Sequence, residues 1–158
     1  MESTLRLRPL RDDEYEGWYA YVRDEFAKSL IELADTPAEA AHARAEQVMT
    51  DVLPEDLATP GHWVSVIERD GERVGKLWLA EREMDGRQVL YIYDVEIEEA
   101  YRGQGLGRAT MLLAEDEALA RGLARIELNV FGGNAVARRL YLSMGYAERA
   151  ISMGKDLA

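Results

Sequence analysis

The sequence predicts an α/β protein, a mixed and mostly antiparallel sheet with helices on both faces, in the order β-α-α-β-β-β-α-β-α-β. Three observations support this prediction. Apolar residues first recur with the period of a helix, then alternate as in strands, and then return to the helical period. Two Asp-Gly pairs separate alternating segments, as in β-hairpins. Neither a repeat nor a linker divides the 158 residues, so we expect a single domain over 1–158.

The N-terminal part predicts one strand followed by two helices. Residues 5–8 (Leu-Arg-Leu-Arg) alternate between apolar and charged, which favours a short strand. Asp12 and Asp13 are candidate N-caps of the first helix, whose apolar residues recur at helical spacing. Residues 36–39 (Thr-Pro-Ala-Glu) have the pattern of a capping box, so a second helix should start there and end before Pro54.

The middle of the chain predicts an antiparallel meander of three strands. Residues 63–67 and 74–80 alternate on either side of Asp70-Gly71, a strong hairpin signal. Asp85-Gly86 then leads into a long strand at 89–97, which is rich in β-branched and aromatic residues. Because tight hairpins join neighbouring strands, we expect these three to pair in sequence order.

The C-terminal part returns to helices and strands in alternation. A helical pattern starts after Gly107 and ends at Gly122, where glycine is typical of a helix end. Residues 126–130 alternate as a strand, and a further helical face ends at Gly145. Residues 146–153 are expected to form a final short strand that completes the sheet.

Composition excludes several classes of function. Nineteen Lys and Arg against 30 Asp and Glu give a formal net charge of −11, which argues against a nucleic-acid partner. The absence of cysteine excludes disulfides, thiolate metal sites and a cysteine nucleophile. No apolar run approaches the roughly 20 residues of a membrane span, and the N-terminus lacks a signal-peptide pattern. We therefore expect a cytoplasmic protein without a membrane partner.

A strand, a glycine-rich turn and a helix start follow one another directly at 95–108. Glycines let the backbone approach a ligand closely, and a helix start presents unpaired N–H groups with a positive dipole end. The sequence therefore predicts an anion cradle, with a plain tight turn as the alternative. Nucleotide loops fit poorly, because neither Lys-Ser/Thr nor the G-x-G-x-x-G spacing is present. The candidate cradle comprises Arg102, Gly103, Gln104, Gly105, Leu106, Gly107 and Arg108.

Three polar side chains share one face of the later helix. Asn134, Arg138 and Tyr141 follow one another at intervals of four and three residues. Asn can anchor an amide and Tyr can donate a proton, whereas the small Ala137 leaves room for a chain between them. The structural alternatives stay open at this point, with Asn134 as a helix cap and Tyr141 as a core aromatic.

The chain resembles the GCN5-related N-acetyltransferase (GNAT) superfamily over essentially its whole length. Residues 102–107 resemble the pyrophosphate loop of that family, [Q/R]-x-x-G-x-[G/A], at a strand-to-helix junction. Asn134 and Tyr141 occupy matching positions of a later motif, and residues 141–146 resemble its Y-x-x-x-G-[FY] ending. A closer likeness, to a bacterial branch of unassigned substrate, is carried by residues 53–62 and 92–94.

This resemblance implies an N-acetyltransferase with acetyl-CoA as co-substrate and a primary amine, of a small molecule or a peptide, as acceptor. Backbone groups near Val95 and Ile97 would pair with the pantetheine arm, and the cradle would hold the pyrophosphate. Asn134 would contact the arm near the thioester, with Ala137 and Arg138 beside it. Tyr141 would protonate the departing thiolate. A homodimer is compatible with the sequence, and the alternative function is a non-catalytic acyl-CoA-binding sensor or partner module.

The sequence leaves open which group acts as the general base. An attacking amine must lose a proton, for which Asp94 and Glu96 on the fourth strand are candidates. Strict alternation places both on the face of Leu90 and Ile92, unless a bulge re-aims them. Some family members carry a glutamate where this chain has Asn129, so a water-relayed base is an alternative.

The remaining candidates concern the acceptor and metals. His42 should be a solvated surface residue, whereas His62 either packs structurally or faces the acceptor. No cluster of His and acids has metal-ligand spacing, so we expect no metal. The first two helices and residues 53–62 should form the acceptor side. Acids of that region, which favour a cationic acceptor, are Glu25, Glu32, Asp35, Glu55 and Asp56.

Overall fold

The computed structural model describes residues 4–158, which form five strands and four α-helices. In chain order these are β1 Leu5–Pro9, α1 Asp12–Ala34, α2 Ala38–Val52, β2 His62–Arg69, β3 Glu72–Met84, β4 Arg87–Ile97, α3 Leu106–Ala120, β5 Ile126–Leu128 and α4 Ala135–Ser143. Short 3₁₀ turns lie at 56–58 and 99–101. None of the described helices is long and apolar enough to cross a membrane.

The strands form one sheet in the order β1-β2-β3-β4-β5. The first four pair antiparallel and β5 pairs parallel with β4. Both Asp-Gly pairs have positive φ angles, 54° and 85° at Asp70 and Gly71, and 51° and 81° at Asp85 and Gly86. Positive φ at both central residues gives a turn whose twist matches that of the flanking strands. The mixed, mostly antiparallel class and both predicted hairpins are confirmed.

Helices cover both faces of this sheet, as predicted. On one face, α1 and α2 pack a core that includes Trp18, Val22, Met49, Val66 and Trp78. On the other face, the core is built from β2, β3 and β4 with α3, and α4 packs on its edge. Its buried members include Leu77, Leu90, Ile92, Met111 and Ala114. The sheet therefore separates an α1 face from an α3 face.

A β-bulge interrupts β4 at Tyr93. Trp78 of β3 pairs with Asp94 and the next residue, Leu79, pairs with Ile92, so Tyr93 is one residue more than β3 can match. Cross-strand partners lie on the same face of a sheet. Asp94 therefore lies on the α1 face with Trp78, opposite to Ile92.

The bulge reverses the faces of the sheet on which the side chains at the end of β4 lie, compared with strict alternation. Val95 and Ile97 pack against the core of the α3 face. Glu96 lies on the α1 face, where it accepts a hydrogen bond of 2.6 Å from the Tyr21 hydroxyl of α1. The candidate acids are thus on one side of the sheet and the apolar residues on the other.

The predicted final strand at 146–153 is wrong. Residues 144–158 form no helix or strand, and β5 ends at Leu128 instead of residue 130. Beyond Tyr146 every residue of this segment is exposed, including Ile151, its one β-branched residue, at 70%, so these residues bury no apolar side chain on the sheet. Ion pairs hold it instead, from Glu148 to Arg138 and from Arg149 to Glu127.

The predicted helix caps are also wrong, although both helices form. Asp12 and Asp13 lie in the first turn of α1, and the N-cap position is Arg11. Acids in a first turn still favour the positive end of the helix dipole. The backbone N–H of Thr36 donates to Leu30 at the end of α1, over 2.9 Å, and Pro37 takes the N-cap position of α2. Thr36 thus finishes one helix and does not cap the next.

Candidate active site

The gap between β4 and β5 is the first component of the site. Their ladder ends at the pair Ile92–Leu128, whereas β4 continues to Ile97. Beyond the bulge at Tyr93, β4 therefore has a strand on only one side. A sheet edge of this kind can pair with an extended ligand.

Hydrogen bonding along β4 indicates which backbone groups face the gap. The N–H of Glu98 donates to Val74 of β3 over 2.8 Å. In an antiparallel ladder, the backbone N–H and C=O groups of successive residues point alternately toward and away from the neighbouring strand. The backbone groups of Val95 and Ile97 therefore point away from β3. The Ile97 carbonyl accepts a hydrogen bond of 2.9 Å from Arg102 Nε. The two residues predicted to pair with pantetheine thus present backbone groups to the gap.

The glycine-rich turn follows directly and starts α3. Gly103 and Gly105 have φ angles of 76° and 77°, a conformation that other residues adopt only with strain. A Cβ at either position would have no neighbour within 4 Å. Gly105 is the N-cap of α3 and offers no side-chain cap, so the first-turn N–H groups of the helix remain available to a ligand. The glycine-rich turn thus lies at the predicted strand-to-helix junction, and its role as an anion cradle stays a prediction.

Two other cradle residues serve packing. Leu106 is buried in the core of the α3 face. A Cβ at Gly107 would lie 3.3 Å from the Leu140 side chain, so this glycine allows α4 to approach α3. These residues can reach a ligand through their backbone only.

The polar and charged side chains around the cradle form hydrogen bonds with other groups of the protein. Arg108 donates to the Ser143 hydroxyl of α4 over 2.6 Å. Gln104 accepts a hydrogen bond of 2.7 Å from Arg69, whose guanidinium lies 5.4 Å from the Tyr101 ring centre. Sequence reasoning missed Arg69, because it lies at the end of β2 and reaches the cradle through the sheet. Its place next to the Asp70-Gly71 turn was the available signal.

At the start of α4, Asn134 accepts a hydrogen bond of 3.2 Å from the Ala137 backbone N–H. Asn134 is therefore a helix N-cap, as the structural alternative predicted. Because the cap uses only the carbonyl oxygen, the amide NH₂ remains a donor. Arg138 donates to the Gly132 carbonyl over 3.0 Å and pairs with Glu148, which fixes the loop before α4.

Tyr141 lies half-buried on α4, against the core of the α3 face. Its ring centre is 5.9 Å from that of Tyr146. Burial raises the pKa of Tyr141, and the charge of Asp94 raises it further. The hydroxyl of the candidate acid on α4 thus stays protonated well above neutral pH, and the candidate base Asp94 of β4 contributes to this effect.

A buried lysine connects both candidate bases. The Lys76 ammonium of β3 pairs with the Asp94 carboxylate and lies 3.5 Å from Glu96 Oε2. The ring centre of Tyr21 is 5.1 Å from the same ammonium. We call Tyr21, Lys76, Asp94 and Glu96 the carboxylate cluster. Sequence reasoning missed Lys76 and Tyr21, although a lone cation in the apolar run 74–80 was a signal.

The environment of the carboxylate cluster shifts the pKa of two of its members, Asp94 and Tyr21. Burial raises the pKa of Asp94, and the Lys76 ammonium lowers it only in part. The hydrogen bond to Glu96 raises the pKa of the Tyr21 hydroxyl, and burial adds to this effect. A carboxyl group with a raised pKa is suited to exchange protons near neutral pH.

The sequence matches the Acetyltransferase (GNAT) family over residues 7–146. The chain belongs to this family. An uncharacterized N-acetyltransferase of Bacillus subtilis, YycN, is 30% identical over 155 residues, which cover 98% of this chain and 99% of YycN. A second from the same organism, YdgE, is 31% identical over 152 residues, with 96% and 97% of the two chains covered. The protein is thus a GNAT acetyltransferase.

Solved structures agree with this assignment. The crystal structure of YycN has a TM-score of 0.91 at 29% identity and covers 98% of this GNAT chain and 99% of its own. Aminoglycoside N-acetyltransferase AAC(6')-Iy, solved in complex with CoA, has a TM-score of 0.60 at 14% identity, with 99% and 98% of the chains covered. The second likeness concerns the fold alone.

The histidines of this GNAT protein have structural surroundings. His42 is exposed, as predicted. His62 accepts a hydrogen bond of 3.0 Å from Trp78 Nε1 and stacks on Tyr93, with ring centres 5.6 Å apart. Burial and the charge of Arg82 lower the pKa of His62. Of the two interpretations of His62, structural packing is therefore the one that its contacts support.

Two observations bear on the acceptor side. A cavity of about 310 Å³ opens beside the carboxylate cluster, lined by Tyr21, Arg73, Lys76, Glu96, Glu98 and Arg102 among others. The predicted acids Glu32, Asp35, Glu55 and Asp56 are exposed, and Glu25 is half-buried.

Within residues 4–158, no group of three His or acidic residues is placed to hold a metal ion.

Proposed function

We propose that this GNAT protein transfers an acetyl group from acetyl-CoA directly to a primary amine of a small molecule or a peptide, with Tyr141 as general acid. The observation that carries the proposal is the open edge of β4 beyond Ile92, which leads directly into the glycine-rich start of α3, with candidate bases on β4 and the candidate acid Tyr141 half-buried on α4. A proton donor and a proton acceptor are the two groups that aminolysis of a thioester requires.

The donor would lie across the gap and the cradle. Its pyrophosphate would accept hydrogen bonds from the backbone around Gly103 and Gly105, at the positive end of α3. Its pantetheine arm would pair with Val95 and Ile97 like an added strand. The amide of Asn134 would donate to the same arm. AAC(6')-Iy, which has a similar fold, was solved in complex with CoA, and this supports the choice of donor.

The reaction would proceed in one transfer. A carboxylate of the cluster, Asp94 or Glu96, takes a proton from the amine, directly or through a water molecule. The amine nitrogen attacks the thioester carbon, the C–S bond breaks, and Tyr141 gives its proton to the departing sulfur. The products are an amide and free CoA. Because the chain has no cysteine, a thioester-linked acyl-enzyme cannot form. One chain carries all these residues, so the mechanism does not require a homodimer.

The test is release of free CoA from acetyl-CoA against a panel of primary amines: polyamines, amino sugars, lysine and peptides with free N-termini. We expect turnover above the amine-free rate for at least one acceptor, with mass spectrometry showing one acetyl group on its nitrogen. Acetyl-CoA binding without turnover across the panel would contradict the proposal and favour the non-catalytic acyl-CoA-binding module.

A further inference from the structure

Lys76 is buried where an apolar residue would be expected. It lies on β3 within the run Val74–Ala80, and only 4% of its surface is exposed. Withdrawing an ammonium group from water costs several kcal/mol unless opposite charges compensate. Both of its ion-pair partners are acids of the carboxylate cluster, Asp94 and Glu96. The main consequence of this lysine is therefore its effect on these two acids.

The geometry around Lys76 is tightly fixed. Lys76 lies directly opposite Glu96 in the ladder, two positions from the Trp78–Asp94 pair at which the bulge shifts the register. A Cβ at the preceding Gly75 would collide with the Glu96 carbonyl, so β3 approaches β4 closely at this point. The Tyr21 hydroxyl engages Glu96 Oε1, and the ammonium is on the other oxygen of that acid. Asp94 depends on the ammonium more strongly than Glu96 does, because Lys76 is the closest charged partner of Asp94.

We propose that Lys76 is a positioning residue for acetyl transfer, whose ammonium holds the Asp94 carboxylate ionised beside the bulge of β4, where Asp94 takes the proton of the attacking amine. This inference rests on the proposed function and assigns the base within it. Glu96 then serves as the second anchor of the ammonium, through its own ion pair and the hydrogen bond from Tyr21.

The charges around Asp94 determine what loss of Lys76 would do. The titratable groups that act on Asp94 or on its neighbours are Tyr21 and Glu25 of α1, Lys76 of β3, Glu96 of β4 and Tyr141 of α4. Lys76 is the cation in this set. Without it, two carboxylates face each other, and one of them binds a proton at a higher pH. The pKa of Asp94 should then rise, and the ionised base should be lost at neutral pH.

The test is the pH profile of kcat/KM for Lys76→Met, Lys76→Arg and the wild type. For Lys76→Met we expect the acid limb to move up by about one pH unit or more and the rate at pH 7 to fall about tenfold or more. Lys76→Arg, which keeps the charge, should restore the wild-type limb. Lys28→Met removes the same charge from an exposed position of α1 and should leave the limb in place. Acetyl-CoA affinity should stay the same in all variants.

An unchanged acid limb in a folded Lys76→Met protein would overturn the inference. If that variant does not fold, Lys76→Met/Asp94→Asn removes both charges of the pair and should be no slower than Asp94→Asn alone. A further loss in the double variant would count against the proposal. If the wild type releases no CoA with any amine, the proposed function fails by itself. ¹³C NMR titration of the Asp94 carboxyl, in wild type and in Lys76→Arg and Lys76→Gln, then decides whether Lys76 controls its ionisation.

Discussion

Gly105→Val should abolish acetyl-CoA binding while the protein still folds. The backbone of Gly105 turns left-handed at the start of α3, and its Cα faces open space in which the pyrophosphate would lie. A branched side chain at this position would fill that space and disfavour the φ angle of 77° that orients the first N–H groups of the helix. We expect affinity to fall about 100-fold or more, roughly 2.8 kcal/mol, in a calorimetric titration.

Gly122→Val is the matched control for this variant. Gly122 follows the other end of α3, has a φ angle of 74°, and a Cβ there would also have no neighbour within 4 Å. The strain of a β-branched residue at positive φ is therefore nearly the same, but the cradle is untouched. Gly122→Val should lose stability and keep its acetyl-CoA affinity. If Gly105→Val folds and binds as the wild type does, the cradle has been assigned to the wrong segment.

Tyr141→Phe should lower kcat about 10²-fold and leave acetyl-CoA affinity nearly unchanged. General acid catalysis contributes about 10²- to 10⁴-fold, and a thiolate of pKa about 8.5, judged from cysteine, is already a tolerable leaving group. The lower end of that range is therefore expected. Phenylalanine keeps the ring contact with Tyr146 and the core, so the fold should remain. A loss in kcat with unchanged donor affinity is the signature of an interaction made in the transition state.

Tyr146→Phe provides the comparison for Tyr141→Phe. It removes a hydroxyl from the adjacent ring, and that hydroxyl donates to Glu115 of α3 over 3.1 Å. We expect this variant to lose about 1 kcal/mol of stability and to keep its kcat. The core-aromatic interpretation of Tyr141 predicts the same outcome for both variants. Wild-type kcat in Tyr141→Phe, measured where chemistry limits the rate, would remove Tyr141 from the mechanism.

Most of the fold could be predicted, because its elements have local signals. The Asp-Gly turns fix the hairpins through their own φ preferences, and the helices follow from apolar spacing. The final strand at 146–153 could not be judged locally, because pairing depends on whether the segment buries side chains on the sheet. Ile151 and Met153 lie largely exposed, and ion pairs to α4 and β5 hold the segment instead.

The candidate site could be predicted where it is continuous in sequence and not where it depends on register. The glycine-rich turn before α3 and the helix that carries Asn134 and Tyr141 follow from local patterns, and both elements form where predicted. The face of Asp94 depends on the position of one bulge residue, Tyr93, which alternation alone cannot locate. Lys76 and Tyr21 join Asp94 and Glu96 only through strand pairing and helix packing, which are long-range contacts.

Thermal unfolding measured against acetyl-CoA concentration tests the central claim, that the cradle and the open edge of β4 bind the donor. A ligand that binds only the folded state stabilises it by about 2.7 kcal/mol at 100 times its dissociation constant. We expect Tm to rise with acetyl-CoA and with CoA, and to rise far less in Gly105→Val than in Gly122→Val. No change in Tm at millimolar acetyl-CoA, CoA and other acyl-CoAs would contradict the account.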